Sequence, residues 1–179
     1  MNAHEPTAKN LGELYGLSLL DWDDVRGTLE GYLTQAPGTG GPDRHTFWLC
    51  TADADGRPHM TGVGVFWDGG HYYFSGGPRT RKVRNIERDP RCAFGVAADG
   101  FDVTLEGRAV RVTDDGHLHH LAEVFAGGGW APTVADGGFT HEFSAPSAGP
   151  PPWYVYEFTV ERAYALKTGE PGGATAWTF

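Results

Sequence analysis

Long apolar runs are missing from this chain: nothing approaches the roughly 20 consecutive residues that a membrane-spanning helix needs. Cysteine is scarce. Only Cys50 and Cys92 occur in 179 residues. Each sits in an apolar, strand-like run, which argues for buried reduced thiols rather than a disulfide framework. Basic residues are in deficit, 14 against 23 acidic, for a formal net charge of −9. That balance excludes a general binder of nucleic acid or of anionic membranes, since either needs a basic surface. The opening residues MNAHEPTAKN lack the basic-then-apolar layout of a secretory signal, so a cytoplasmic protein is expected. A G-x-S-x-G elbow, a Walker loop and a dinucleotide fingerprint are all absent.

Turn chemistry is plentiful instead. The chain holds 27 glycines and 12 prolines, which implies many short elements joined by tight connections. Its length suits one domain over 1–179. Residues 1–18 are expected to form a loosely held arm. From Asp21, a plausible cap, Trp22, Val25, Leu29, Tyr32 and Leu33 recur at helical spacing before a Gly/Pro loop at 36–44. Strand-like runs follow: HTFWLCTA, MTGVGVFW, HYYFS, RCAFGVA, FDVTLEGRAVRVT, WYVYEFTV and AYALKT, with a tail ending ATAWTF. DG and DGG connections favour tight antiparallel hairpins. A helix capped by Asp114 or Asp115 presents Leu118, Leu121 and Phe125 on one face. The fold class is therefore mainly β, a six- to seven-stranded antiparallel barrel with inserted helices, because closure hides the strand edges. Residues 127–152 make a Gly/Pro-rich loop too long for a plain connection. Such loops are functional or disordered, and Trp130, Phe139 and Phe143 could roof a pocket or anchor the loop to the barrel.

Against this acidic background one segment gathers cations. Arg79, Arg81, Lys82, Arg84, Arg88 and Arg91 supply six of the 14 basic residues. Gly77 and Pro78 read as a helix start, with proline at the first helical position. Helix N-termini carry partial positive charge and recruit Asp or Glu. Cations there are unfavourable unless an anion sits among them, on the exposed N–H groups. A solvated basic face is the other reading.

The segments DGRPHMTGVGVFWDG, YYFSGGPRTRKVRNIERDP and VTLEGRAVRVTD, in that order, resemble the flavin- and deazaflavin-binding split β-barrel family that includes pyridoxamine-phosphate oxidase. The resemblance runs from Thr46 to Thr113, with weaker support from the last strands and tail. It implies a six-stranded Greek-key core and a homodimer with two cofactors at the subunit interface. Thr80, Arg81, Lys82 and Asn85 resemble the family's phosphate turn, which answers the cation question: the cluster would grip a cofactor phosphate. The strand Met60 to Phe66 would run along the cofactor ring. Thr61, Gly62 and Val63 would line it, and Gly62 and Gly64 would allow close approach or simply bend the barrel. Ser75 and Gly76 fall where the ribityl chain passes. Asp102 and Val103 would reach the ring from the partner subunit, or be an ordinary strand pair.

Departures from the family pattern bear on the cofactor. The oxidases carry an Arg and a Lys on the FMN phosphate where this chain has Thr61 and Phe66. Two lost cations argue against vitamin-B6 oxidation. A threonine here is usual in the actinobacterial deazaflavin branch, whose tails often end Thr-Arg-Trp-Arg-Phe. This tail keeps Trp177 and Phe179 and has Ala176 and Thr178 in place of the arginines, making it a weakened lid or a packing plug. The expected cofactor is the deazaflavin coenzyme F-420, with FMN as the alternative, in an oxidoreductase moving hydride to or from a small organic substrate. The alternative function is a non-catalytic binder of flavin, deazaflavin or haem, for which His59 is the one well-placed axial ligand. No side chain is assigned a catalytic role. His117, His119 and His120 invite a metal reading but lack matching Cys or carboxylate ligands, so a solvated helix face is expected and no metal.

Overall fold

The computed structural model describes residues 6–31 and 45–179. Tyr32, Leu33 and the loop at 36–44 therefore lie outside the described residues. In chain order the elements are β1 (Thr7–Asn10), α1 (Trp22–Glu30), β2 (Phe47–Ala52), β3 (Pro58–Val63), β4 (Phe66–Asp68) and β5 (His71–Gly76), then α2 (Arg81–Arg88), β6 (Arg91–Ala98), β7 (Phe101–Arg111) and α3 (Asp115–Gly127), and last β8 (Thr133–Ala135), β9 (Gly138–Thr140), β10 (Tyr154–Lys167) and β11 (Gly173–Thr178).

Six staves close into an antiparallel ring. β2 pairs with β3, the chain bends through Gly64 and Val65 into β4, and β4 pairs with β5. β5 then pairs with β10, β10 with β7, β7 with β6, and β6 returns to β2. The run MTGVGVFW is thus one bent stave rather than one straight strand. Asp68 and His71 close a two-residue hairpin, in which Gly69 and Gly70 take φ of 56° and 96°. Glycine adopts positive φ without steric cost, so a Gly-Gly pair suits two successive positive φ values and DGG marks this turn.

WYVYEFTV and AYALKT are halves of the single strand β10, whose register shifts at a bulge between Val160 and Arg162. Before the bulge β10 lies between β7 and β5; beyond it, between β7 and β11. β11 in turn pairs with β1, Thr7 lying opposite Thr178. The arm expected over 1–18 is therefore held in part by backbone pairing, which composition could not show.

Alternation fills the barrel. Phe47 and Leu49 on β2, Phe94 and Val96 on β6, Val103 and Leu105 on β7, and Tyr156 and Phe158 on β10 are buried among Val25 and Leu29 of α1 and Val83 and Ile86 of α2. Asp21 caps α1 by accepting from the Asp23 N–H at 2.7 Å. A second apolar layer lies outside the ring. Leu118, Leu121 and Phe125 of α3, with Trp130, Phe139 and Trp153, cover Phe66, Tyr73 and Val155 of β4, β5 and β10. Asp114 caps α3 through the His117 N–H at 2.7 Å. The long 127–152 segment contains the β8–β9 hairpin, and its Trp130 and Phe139 are anchors in this layer. Phe143 remains half exposed.

Candidate functional site

Pro78 is not the first helical residue. The Thr80 N–H donates to the Gly77 carbonyl at 3.0 Å, so Gly77–Thr80 is a turn and α2 begins at Arg81. Proline suits the second position of such a turn, where its fixed φ is already correct. Thr80 then occupies the cap position, but its hydroxyl donates to the Gly77 oxygen at 2.7 Å and caps no helical N–H. The first-turn N–H groups of α2 are thereby left for another acceptor.

The six cations divide sharply. The Arg81 guanidinium grips both carboxylate oxygens of Asp53, with Nε to Oδ1 at 2.8 Å and the second contact shorter still. Asn85, buried, donates to Asp53 at 3.0 Å and to the Thr51 hydroxyl at 3.1 Å. The Arg81 and Asn85 hydrogen bonds hold the Asp53 carboxyl far below the usual carboxylate range. Arg88 donates to the Ala52 carbonyl and, at 3.3 Å, to Asn85; Arg91 pairs with Asp89 at 2.6 Å. The Tyr156 hydroxyl donates to Glu87 at 2.6 Å, tying α2 to β10. Much of the cluster therefore fastens α2 across one end of the barrel. Its premise, cations with no counter-charge, is corrected for Arg81 by Asp53.

The side chains of Arg79, Lys82 and Arg84 have no ionic or hydrogen-bond partner among the described residues. Arg79 and Arg84 are exposed, whereas Lys82 is half-buried and burial pushes its ammonium pKa down. Its stem lies on the end of β5: a Cβ added to Gly76 would sit 3.1 Å from Lys82 Cε and 2.8 Å from Val83 Cγ2. Glycine at 76 is what lets the first turn of α2 approach. At Gly77 an added Cβ would meet the Ala148 carbonyl oxygen at 2.0 Å, because the 147–150 segment crosses the turn. Gly77–Thr80 and Ser147–Pro150 together line a cleft of about 200 Å³.

Thr61 and His59 face the barrel side of β3, across from Leu49 and Thr51. Burial first, and then the charge of Arg81, press the His59 imidazole toward its neutral form. Gly62 faces outward beside Trp48, and an added Cβ would lie 3.0 Å from the Thr46 methyl, so its close approach is to its own chain. The Val63 side chain is buried in the core.

Three expected residues stand apart. The Val103 side chain is buried in the barrel core. Asp102 is exposed on a groove of about 440 Å³ with Leu11, Tyr164, Leu166 and Ala174, which no residue of α2 lines. Trp177 is buried, its ring centroid 5.3 Å from that of Trp22, so its side chain packs against α1. Asp53 was missed because it lies 28 residues from Arg81. The acidic turn ADADGRP was the only local signal. Among the described residues no group of His, Cys, Asp or Glu is placed to hold a metal, and no helix is long and apolar enough to cross a membrane.

Three comparisons bear on this architecture. No curated protein matches the chain. Among solved structures, a NimC/NimA family protein from Clostridium acetobutylicum superposes with a TM-score of 0.55 at 15% identity, over 84% of this chain and 93% of that one. An FAD-binding protein from Mesorhizobium loti gives 0.51 at 13% identity, over 98% and 100%. A candidate pyridoxamine 5'-phosphate oxidase from Listeria innocua gives 0.53 at 17%, over 79% and 94%. At such identities these likenesses establish the split-barrel fold. The family described as Pyridoxamine 5'-phosphate oxidase matches residues 41–167, from before β2 to the end of β10. With that span of the chain matched and the six-stave barrel in place, the chain belongs to the pyridoxamine 5'-phosphate oxidase family.

Proposed function

We propose that this chain is an oxidoreductase that binds a deazaflavin of the coenzyme F-420 type across the N-terminus of α2 and works as a homodimer. One observation carries the reading: Lys82, half-buried and without a partner, stands beside the uncapped first turn of α2. A desolvated ammonium next to free N–H groups is costly until an anion arrives. A cofactor phosphate fits there, with the Lys82 ammonium and the N–H groups of α2 as donors. Ser75 and Gly76 would flank the chain leading to the ring, and Thr61 the ring itself. The bound cofactor supplies the hydride chemistry. The protein binds, orients and excludes water, and no side chain is asked to move a proton.

The deazaflavin is favoured over FMN because Arg81 is already engaged, while Arg79 and Arg84 are free at the rim. A deazaflavin's longer anionic tail would pass those rim cations, each contributing under about 1 kcal/mol. Competitive fluorescence titration at low and high ionic strength tests this. Tighter deazaflavin binding is expected, with the advantage shrinking as salt screens the rim. Tighter FMN binding under both conditions would reject it.

The dimer reading rests on the outer face of the sheet. Pairing aligns Gly62, Trp48, Gly95, Thr104, Tyr164 and Ala176 across successive strands, a row of small side chains with two aromatics. Trp48, Met60, Leu11 and Leu166 on the same face are each about half exposed or more. A second copy covering this face would bury them and bring Asp102 toward a site that one chain leaves open.

A further inference from the structure

We propose that Asp53 sets which anion the site accepts, by occupying the Arg81 fork that a phosphomonoester would need. This rests on the cofactor reading above and names the residue that discriminates between cofactors. Arg81 meets both oxygens of Asp53 through two of its donors, the geometry it would use on phosphate. Asn85, the other polar residue of the turn motif, is spent on the same carboxylate at 3.0 Å. Arg81 and Asn85 thus already hold an anion, supplied by the chain's own β2–β3 turn.

The consequence depends on ligand charge. A phosphomonoester such as that of FMN approaches two negative charges near neutral pH. It must either displace Asp53 from Arg81 or accept repulsion from the carboxylate, and Coulomb repulsion scales with the product of the charges. A phosphodiester carries one charge, offers fewer free oxygens, and is satisfied by Lys82 and the α2 N–H groups without disturbing Asp53. The Asp53–Arg81 clasp therefore disfavours monoester flavins and spares a diester-linked deazaflavin.

Replacing Asp53 by Asn keeps the shape and an acceptor oxygen for Asn85 but removes the charge. Fluorescence titration of wild type and Asp53→Asn with riboflavin, FMN and the deazaflavin separates the outcomes. Expected is at least a tenfold tightening for FMN, with riboflavin unchanged and the deazaflavin shifted less than threefold. FMN binding unchanged or weakened, while riboflavin still binds, would overturn the role of Asp53 and leave the cofactor reading standing. Absence of binding by all three ligands to the wild type would overturn both. Should the variant fold poorly, NMR on the wild type decides instead: FMN saturation should shift the Asp53 carboxyl and Arg81 Nε–H resonances, and deazaflavin saturation should not. An Asp53 signal unmoved by FMN would sink the proposal.

Discussion

Replacing Lys82 by Met should raise the stability of the free protein and lower its affinity for cofactor, two effects of opposite sign. The methionine retains the stem packed on Gly76, where Lys82 Cε lies 3.1 Å from the position of an added Cβ. What is lost is an ammonium that is half-buried and unpartnered. Removing a partly desolvated charge should stabilise by about 0.5–1 kcal/mol, the modest figure reflecting its remaining solvent contact. The bound state would lose one charge-assisted hydrogen bond, about 1.5–3 kcal/mol, which is roughly ten- to hundredfold in Kd. The pH dependence gives an independent check. Burial lowers the Lys82 pKa in the folded chain, so between that value and 10.5 the unfolded chain binds more protons. Wild-type stability should therefore rise with pH relative to Lys82→Met, and the variant's advantage should fade by about pH 10.5. Urea denaturation of both proteins from pH 7 upward, with fluorescence titration of the cofactor, measures each quantity. A variant no more stable than wild type and equal in affinity would refute the reasoning.

Further outcomes follow from packing. Trp48→Glu or Met60→Glu should convert a dimer of twice the chain mass into monomers by sedimentation equilibrium; a wild type that is monomeric while binding cofactor would end the shared-site idea. Gly107→Ala should destabilise by about 1–3 kcal/mol or more, because its Cβ would fall 2.0 Å from the Thr159 carbonyl oxygen; thermal denaturation reads this directly. Trp177→Ala should cost about 3–5 kcal/mol of stability as a core truncation. A loss of affinity without a loss of stability would instead make the tail a lid.

Local chemistry made much of this fold readable. The DGG and DG turns, the alternation of β2 and β7, and the Leu118–Leu121–Phe125 face are all written in consecutive residues, and so were found. The bulge in β10 was not, because an extra residue between Val160 and Arg162 breaks the pattern of alternation without breaking the strand. Pro78 was misplaced because proline fits a turn and a first helical position equally well. The motif around Thr80, Arg81, Lys82 and Asn85 marked a helix near its true start but not the division of its cations. That division depends on Asp53, brought in from the β2–β3 turn by the tertiary fold, and on burial, which singles out Lys82.

The pairing of Thr7 with Thr178 bears on the order in which the molecule assembles. Contacts between residues so distant in sequence must meet the largest loop-closure entropy, and they are rewarded only once the intervening chain is compact. The ring from β2 to β10 draws its pairings from shorter separations and can close first. β11 folds back on β10 as a hairpin, and β1 joins last, along an edge that does not exist until then. Hydrogen exchange should therefore find β1 among the first segments to open and the β6–β7 hairpin among the last. During folding the outer edge of β11 is a bare strand edge until β1 arrives, and that interval is when the chain is most open to mispairing with another copy.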